Sequence, residues 1–227
     1  MKTFKNLLFL ALIIFVGTNT VFAGNMDQSE VRTIESFNSI NVSDGIDLFL
    51  SMGETEKLSV TANGTAIDDV KTEIKDGTLY IYLEKNDRFK KNKKKALKVY
   101  VTATELNAIE ATSGADIRTE TSLQGESLTV KSRSGSYLEL SVFYTDLIVA
   151  NSGSDIKLSG KVKNFKAESN NGSELDAYNL EAQIGKLKAG SGSNIAAMVT
   201  DELYTRASNG SNIDYLGDPR ILNNGFR

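Results

Sequence analysis

One column of polar and aromatic residues recurs along the sequence at positions that could bind or cut a carbohydrate. Each member lies two residues after a glycine, and the members are Asp116, Tyr137, Asp155, Glu174, Asn194 and Asn212. Carboxylates, amides and a phenol ring can hydrogen-bond to sugars and stack on them. Two of the carboxylates stand one repeat apart, close to the separation that retaining glycosidases use. The column therefore predicts a glycan-binding surface, with a carboxylate-dependent polysaccharide-degrading enzyme as the less favoured alternative.

The same carboxylates are candidates for calcium binding, because Ca²⁺ takes oxygen ligands. Asp116, Asp155 and Glu174 carry the charge, but the sequence has neither the RTX nonapeptide nor the EF-hand spacing. The chain contains no His and no Cys. That composition excludes a Ser-His-Asp triad, a Cys nucleophile and the usual zinc sites. We therefore expect a protein that is not an enzyme and that uses no cofactor and no metal.

Residues 85–98 (KNDRFKKNKKKALK) form the one dense run of positive charge. Its centre is a basic loop made of Lys90, Lys91, Lys93, Lys94 and Lys95. The loop could contact an anionic envelope component such as a lipid headgroup or an acidic glycan. The alternative, which we favour, is a solvated tip between two strands, because blocks of like charge are commonly unstructured. The formal net charge of the whole chain is −3, which gives no reason to expect a nucleic acid partner.

A repeat positions all of these residues. Glycines recur at intervals of 18 to 21 residues, each inside a phrase such as ATSGADI, ANSGSDI or AGSGSNI, and they are Gly114, Gly135, Gly153, Gly172, Gly192 and Gly210. Helical repeats are longer, and no 3.6-residue period is present. About 19 residues suit one coil of a parallel β-solenoid. The sequence therefore predicts an all-β fold: a parallel β-helix-like stack of ~19-residue coils.

Aligning the copies on their glycines predicts which positions face the core. Three columns are expected to face inward. The column three residues after the glycine is Ile117, Leu138, Ile156, Leu175, Ile195 and Ile213, and the column three residues before it is Ala111, Ser132, Ala150, Ser169, Ala189 and Ala207. The column five residues before the glycine is Ile109, Val130, Ile148, Ala167, Leu187 and Thr205. The residues directly before the glycine are expected to form an internal hydrogen-bonding ladder: Ser113, Ser134, Ser152, Asn171, Ser191 and Asn209. Outward charges four after the glycine alternate in sign at first and could pair between coils.

The first part of the chain lacks the regular repeat. FNSINVSDGIDLFL predicts a strand, a turn and a strand that could be a degenerate first coil, and VKTEIKDGTLYIYL predicts a hairpin around Asp76-Gly77. Such a block could cap the open end of the solenoid. The predicted organisation is a signal peptide (1–23), a flexible leader (24–36), an N-terminal β block with the hairpin and the Lys-rich loop (37–104), the solenoid (105–218) and a C-terminal tail (219–227).

The N-terminus predicts export. Lys2 and Lys5 precede an apolar run from Leu7 to Val16, and Val21-Phe22-Ala23 supplies small residues for cleavage before Gly24. A run of this length is shorter than the ~20 residues that span a bilayer. We therefore expect no transmembrane segment after cleavage. The expected location is the periplasm, the outer surface or the medium.

Several blocks together resemble a known family. FNSINVSDGIDLFL, VKTEIKDGTLYIYL, LKVYVTATELNAIEATSGADI and the recurring SGSNI and NGSNI phrases resemble the putative auto-transporter adhesin, head GIN domain family, over roughly residues 37–218. The resemblance implies a bacterial, exported, β-solenoid-like protein that is called an adhesin by analogy. It brings no established catalytic or ligand residues. The predicted function is thus a non-catalytic, adhesin-like binding module of the cell envelope or surface; a structural, self-associating envelope protein is the alternative.

Overall fold

The computed structural model describes residues 27–84 and 97–222. Within these two ranges, sixteen strands join into one continuous hydrogen-bonded sheet. In chain order they are β1 Asp27–Arg32, β2 Ser39–Val42, β3 Asp47–Met52, β4 Lys57–Asn63, β5 Val70–Lys75, β6 Thr78–Leu83, β7 Leu97–Ala103, β8 Ala108–Ala111, β9 Asp116–Thr119, β10 Leu123–Arg133, β11 Tyr137–Ser152, β12 Asp155–Asn170, β13 Glu174–Ala189, β14 Asn194–Ala207, β15 Asn212–Leu216 and β16 Arg220–Ile221. A single 3₁₀ turn, Gly64–Asp69, joins β4 to β5.

The repeat region is a parallel β-solenoid, as the sequence predicts. Strands β10 to β14 each pair in parallel with the next, and β15 continues the stack. Each of the strands β11, β12 and β13 runs for 16 residues and supplies both walls of its coil, bending between them. At the bend of β11 the buried Tyr144 hydroxyl donates a hydrogen bond to the Leu106 carbonyl at 2.9 Å. Burial raises the pKa of this phenol to about 12.

The N-terminal block extends both walls of the solenoid. Strands β2 and β3 are the degenerate first coil, because β2 pairs in parallel with β8 and β3 with β9. Strand β6 then joins β2, and β7 joins β3, also in parallel. Antiparallel strands complete this end: β5 pairs with β6 through the predicted Asp76-Gly77 turn, while β4 pairs with β7. These antiparallel additions cover the edges that the parallel strands would otherwise leave open.

Two of the predicted terminal segments contain strands. Asp27–Arg32, within the segment predicted to be a flexible leader, forms β1 and pairs antiparallel with β4. The Arg32 guanidinium anchors it by donating hydrogen bonds to the carbonyl oxygens of Val70 and Ile67. Arg220–Ile221, within the predicted C-terminal tail, pairs in parallel with β14. The expectation of a flexible leader is thus wrong for residues 27–32, because their backbone groups find a partner at an unpaired strand edge.

The core is a stack of apolar columns. The column three residues after each glycine is buried from Ile117 to Ile195, each member being at most 2% exposed. Its last member, Ile213, is partly buried because no further coil lies beyond it in the described chain. Leu48 of β3 extends the column by one coil, in register with Ile117. Equivalent residues stack at about 4.8 Å, the spacing of hydrogen-bonded strands.

The third copy of the repeat departs from the predicted columns. Val130 pairs with Val149 rather than with Ile148, and Ser132 pairs with Asn151 rather than with Ala150. Val149 and Asn151 are buried, whereas the Ile148 side chain is 42% exposed. The assignment of Ile148 and Ala150 to inward columns is therefore wrong. This copy has one residue fewer between its last inward side chain and the glycine, so counting back from Gly153 reaches the wrong face.

The predicted ladder of residues directly before the glycine is not internal, and its one side-chain hydrogen bond in the described chain, from the Asn171 amide to the Ser152 hydroxyl at 2.8 Å, lies at the surface. Ser113, Ser134, Asn171, Ser191 and Asn209 are exposed and adopt positive φ of 54° to 59°. Each of them is followed by a glycine with positive φ, so the pair forms a tight two-residue turn. An Asn or Ser tolerates this conformation, which explains the composition of the column. The buried ladder lies two positions later, at Ser136, Ser154, Ser173 and Ser193.

Candidate functional site

The predicted glycan-binding column is a continuous ladder on one outer wall of the solenoid. Strand pairing places its six residues on consecutive rungs, in the order Asp116, Tyr137, Asp155, Glu174, Asn194 and Asn212. Each of them points outward, because alternate side chains in a strand point to opposite faces and the side chain before each ladder residue points inward. Asp116 and Tyr137 are half-buried, and the other four are exposed.

The ladder continues beyond the residues chosen from the sequence. Asp47 pairs with Asp116, and Lys98 pairs with Asp47, so eight consecutive rungs present a side chain in this column. Asp47 lies two residues after Gly45, which is the same rule that selected the other members. Asp44 and Gly45 also form the same positive-φ turn. Applying the glycine rule to FNSINVSDGIDLFL would have found Asp47 from sequence alone.

A second outward column runs beside the first, two residues further along each strand. Its members in rung order are Tyr100, Phe49, Arg118, Glu139, Lys157, Asp176, Ala196 and Asp214. We call the two columns together the ladder face. Arg118 and Glu139, predicted to pair between coils, lie 3.9 Å apart. Because both side chains are substantially exposed, this ion pair contributes little stability.

Aromatic rings are concentrated at the N-terminal end of the ladder face. The rings of Phe49 and Tyr100 stack with centroids 4.9 Å apart and planes inclined by 17°. One rung further, the Arg118 guanidinium carbon lies 5.5 Å from the centroid of the Tyr137 ring. Offset stacking and cation–π contact hold these side chains in defined orientations. A flat aromatic area with carboxylates beside it is the kind of surface on which sugar rings stack and hydrogen-bond.

Two carboxylates are neighbours at this aromatic end. Asp47 and Asp116 pair directly across adjacent strands. Partial burial, and then the negative charge of Asp47, raise the pKa of the Asp116 carboxyl above its usual value. The Arg118 guanidinium, 3.7 Å from the Asp116 carboxylate, opposes that shift. Two like charges on adjacent rungs repel each other and cost stability. A ligand hydroxyl or cation bound between Asp47 and Asp116 could reduce that repulsion.

The two candidate catalytic carboxylates of the ladder lie on an open surface. Asp155 and Glu174 are direct neighbours across β12 and β13, as the repeat predicts, and both are exposed on the flat wall. A glycosidase needs its two carboxylates to flank a bound substrate. Among residues 27–84 and 97–222, no group of three or more acidic, His or Cys side chains is arranged to hold a metal ion. The geometry of the ladder is suited to contact with an extended ligand.

The predicted basic loop lies outside the described residues, as do residues 1–26. The interpretation of Lys90, Lys91, Lys93, Lys94 and Lys95 as an anionic contact therefore stays a prediction, and so does the signal peptide. Within the described ranges, no helix is both long and apolar enough to cross a membrane.

Three solved structures share this architecture at low sequence identity. A putative adhesin from Bacteroides fragilis matches with a TM-score of 0.73 and 17% identity, covering 88% of this chain and 98% of that one. A putative adhesin from Parabacteroides merdae matches with a TM-score of 0.65 and 19% identity, covering 86% and 91%. A putative lipid binding protein from Parabacteroides distasonis matches with a TM-score of 0.61 and 18% identity, covering 88% and 93%. At these identities the likeness establishes the fold alone.

Comparison with curated proteins gives no significant match. The family comparison is decisive, because one family model spans residues 36–219, which includes every coil of the solenoid and the block before it. That range agrees with the roughly 37–218 over which the sequence blocks resemble the family. The chain belongs to the family described as putative auto-transporter adhesin, head GIN domain.

Proposed function

We propose that this protein is an exported, non-catalytic binding module of the bacterial cell surface or envelope that binds a glycan along the ladder face. The observation that carries the proposal is the eight-rung ladder of polar side chains with stacked aromatic rings at one end. The adhesin name of the family supports a surface role. The signal-peptide pattern of residues 1–23 supports export to the periplasm, the outer surface or the medium.

The wall suits an extended ligand better than a small enclosed one. Successive side chains of a column lie about 4.8 Å apart, so a chain of sugar residues along the axis would meet a polar group at every rung. Tyr137, Phe49 and Tyr100 offer ring faces for stacking, and Asp116 and Asp155 offer acceptors for hydroxyl groups. These are the groups that carbohydrate recognition requires, and an alternation of stacking and hydrogen bonding gives both affinity and orientation.

The experiment is a binding screen of the purified protein against a glycan array and against fractions of a bacterial envelope. Any ligand found is then tested with Tyr137→Ala, which removes the ring at the centre of the ladder. The matched control is Phe143→Ala, because the Phe143 ring is 49% exposed and lies outside the two columns. We expect Tyr137→Ala to weaken binding and Phe143→Ala to leave it unchanged. Equal effects of the two variants would contradict the ladder as the binding surface.

The same screen decides between the proposal and its alternatives. Turnover of a glycan that Asp155→Asn abolishes would show that the protein is an enzyme. No binding to any fraction, together with oligomers that grow with protein concentration, would favour a structural, self-associating role. The basic loop is tested separately by changing Lys90, Lys91, Lys93, Lys94 and Lys95 to Ser. A contact with an anionic envelope component through this loop would be lost in that variant and would weaken with salt.

A further inference from the structure

The wall on the other side of the turns has a different character from the ladder face. Its two outward columns lie four and six residues before each glycine in most coils. We call them the basic face, and in rung order they are Glu110, Lys131, Ala150, Glu168, Lys188 and Arg206, and Ala108, Thr129, Ile148, Lys166, Lys186 and Tyr204. The inward assignment of Ile148 and Ala150 had concealed this wall, because both belong to it.

Charge distinguishes the two walls. The basic face carries five Lys and Arg side chains against two Glu, whereas the ladder face carries seven carboxylates against Lys98, Arg118 and Lys157. Both Glu side chains of the face are in ion pairs, since Glu110 pairs with Arg133 beside the face and Glu168 lies 2.7 Å from Lys188. A chain of net charge −3 therefore concentrates positive charge on one wall. That separation gives each wall its own electrostatic preference for a ligand.

Three lysines of the basic face form no salt bridge in the described chain, although the charge of Lys166 contributes, after Lys188, to lowering the pKa of the Glu168 carboxyl. Within residues 27–84 and 97–222, Lys131, Lys166 and Lys186 form no ion pair. Lys166 and Lys186 are direct neighbours across β12 and β13. Like charges directly opposite each other destabilise a sheet. The Lys186 ammonium lies 5.4 Å from the centroid of the Tyr204 ring on the next rung, which adds an aromatic ring to the basic group.

The short third copy opens a notch beside Lys131. Ala150 stands in the column where its neighbours are Lys131 and Glu168, and the small side chain leaves a cavity of about 450 Å³. Side-chain amides, the basic groups of Lys131 and Arg133 and the carboxylate of Glu168 line it. A second depression of about 300 Å³ lies beside Ile148, with Lys166 and Lys186 at its rim and Phe165 in its floor. Cationic groups thus alternate with recesses along the wall.

We propose that the basic face is a second binding site and that its ligand is a linear acidic polysaccharide running along the solenoid axis. Cations stand on three consecutive rungs about 4.8 Å apart, at Lys166, Lys186 and Arg206, and this spacing is comparable to the length of one sugar residue in an extended chain. One carboxylate or sulfate for each sugar would then meet Lys166, Lys186 and their neighbours in turn. Sugar rings can enter the notch and stack on the Tyr204 ring. A flat array of phospholipid headgroups would leave the notch unfilled.

This site is independent of the proposed glycan site on the ladder face. The acidic ladder repels the polyanion that the basic face attracts, so the two walls bind ligands of different charge. Binding to the basic face does not require Tyr137 or any other ladder residue. Failure of one proposal therefore leaves the other intact, and the two are distinguished by the charge of the ligand.

The test measures binding of polygalacturonate to the purified protein by titration calorimetry at low and physiological salt. The variant K166Q/K186Q removes the unpaired neighbours, and the matched control K57Q/K163Q removes the same charge from exposed lysines that lie outside both faces. We expect K166Q/K186Q to weaken binding about tenfold or more, a change of about 1.4 kcal/mol. The control is expected to change the affinity by less than about threefold, and salt to weaken binding in all forms.

Several results would overturn the proposal. Equal losses in the two double variants would show a response to net charge, and unchanged binding by K166Q/K186Q would exclude the basic face. Loss of binding only when Lys90, Lys91, Lys93, Lys94 and Lys95 are changed to Ser would place the contact in the loop. Vesicles of phosphatidylglycerol that bind more tightly than polygalacturonate, with the same dependence on Lys166 and Lys186, would assign the face to a membrane. Neutral dextran that binds as tightly would remove the role of charge.

Discussion

The hydroxyl oxygen of Ser193 lies 2.6 Å from the carbonyl oxygen of Ser169, one coil earlier in the solenoid. The same hydroxyl accepts a hydrogen bond from the Gly190 amide at 3.2 Å, at the start of its own turn. Ser136 and Ser211 make the equivalent contacts with the coils before them, to the carbonyl oxygens of Ala111 and Ala189. In these three coils the serine after the turn glycine thus ties its turn to the preceding coil, in addition to backbone bonds such as the one from the Gly190 amide to the Ser169 carbonyl oxygen at 2.9 Å.

Removing this tie should destabilise the protein. In Ser193→Ala the hydroxyl hydrogen bonds to the Gly190 amide and the Ser169 carbonyl are lost, while the backbone hydrogen bond between those two groups remains. The expected loss in the free energy of unfolding is about 0.5–1.5 kcal/mol, the net contribution of a hydrogen bond, measured by urea denaturation. The control is Ser191→Asn, since Asn occupies the equivalent turn position in two other coils and Ser191 is exposed. A control that loses as much stability as Ser193→Ala would contradict the assignment of the buried ladder.

The corrected register predicts a contrast between two isoleucines. Ile156 is 2% exposed in the central apolar column, whereas Ile148 is 42% exposed on the outer wall. Ile156→Asp places an unpaired charge in the core and should cost about 3–5 kcal/mol. Ile148→Asp should change stability by less than about 0.5 kcal/mol, the usual range for a surface substitution. Thermal and urea denaturation of both variants provide the measurement, and similar losses in the two would mean that the third coil is out of register.

The repeat made the wall architecture predictable because one strong local signal, the positive-φ turn, recurs at the same place in each coil. The outward column two residues after the glycine followed directly, since strand alternation is reliable over so short a distance. The positions before each glycine were predicted less reliably. One missing residue before Gly153 exchanged the predicted faces of Ile148 and Val149. The basic face was hidden for the same reason. Lys166 and Lys186 nevertheless both lie six residues before their glycines, so an alignment of the outward columns would have placed them together, as their pairing does.

A tight approach between adjacent coils depends on Gly160. Its φ is 116°, and a Cβ atom there would lie 2.0 Å from the Val142 carbonyl oxygen. Gly160→Ala must therefore move the backbone of a paired strand in addition to adopting an unfavourable φ. The comparison variant is Gly172→Ala, whose φ is 68° but whose Cβ would meet no atom within 4 Å. We expect Gly172→Ala to cost about 1–2 kcal/mol and Gly160→Ala clearly more, as measured by chemical denaturation.

The pair of Asp47 and Asp116 predicts a pH-dependent stability. Partial burial and then the charge of Asp47 raise the pKa of Asp116 in the folded state above the ordinary 3.8, while Arg118 partly offsets them. The folded protein then holds this proton more tightly than the unfolded chain does. Stability is therefore lost as the pH rises from below 3.8 through the raised pKa of the folded state.

Replacing the carboxyl with a neutral amide should remove that loss. Asp116→Asn is expected to raise the midpoint of thermal unfolding at pH 7, with the advantage disappearing near pH 3 (roughly one unit below the ordinary aspartate pKa), where the parent carboxyl is itself protonated. Asp155→Asn, which removes a charge from an exposed rung of the same column, serves as the comparison and should give a smaller gain at pH 7. An Asp116→Asn variant that is less stable than the parent at pH 7 would show that the Arg118 contact outweighs burial and the repulsion from Asp47.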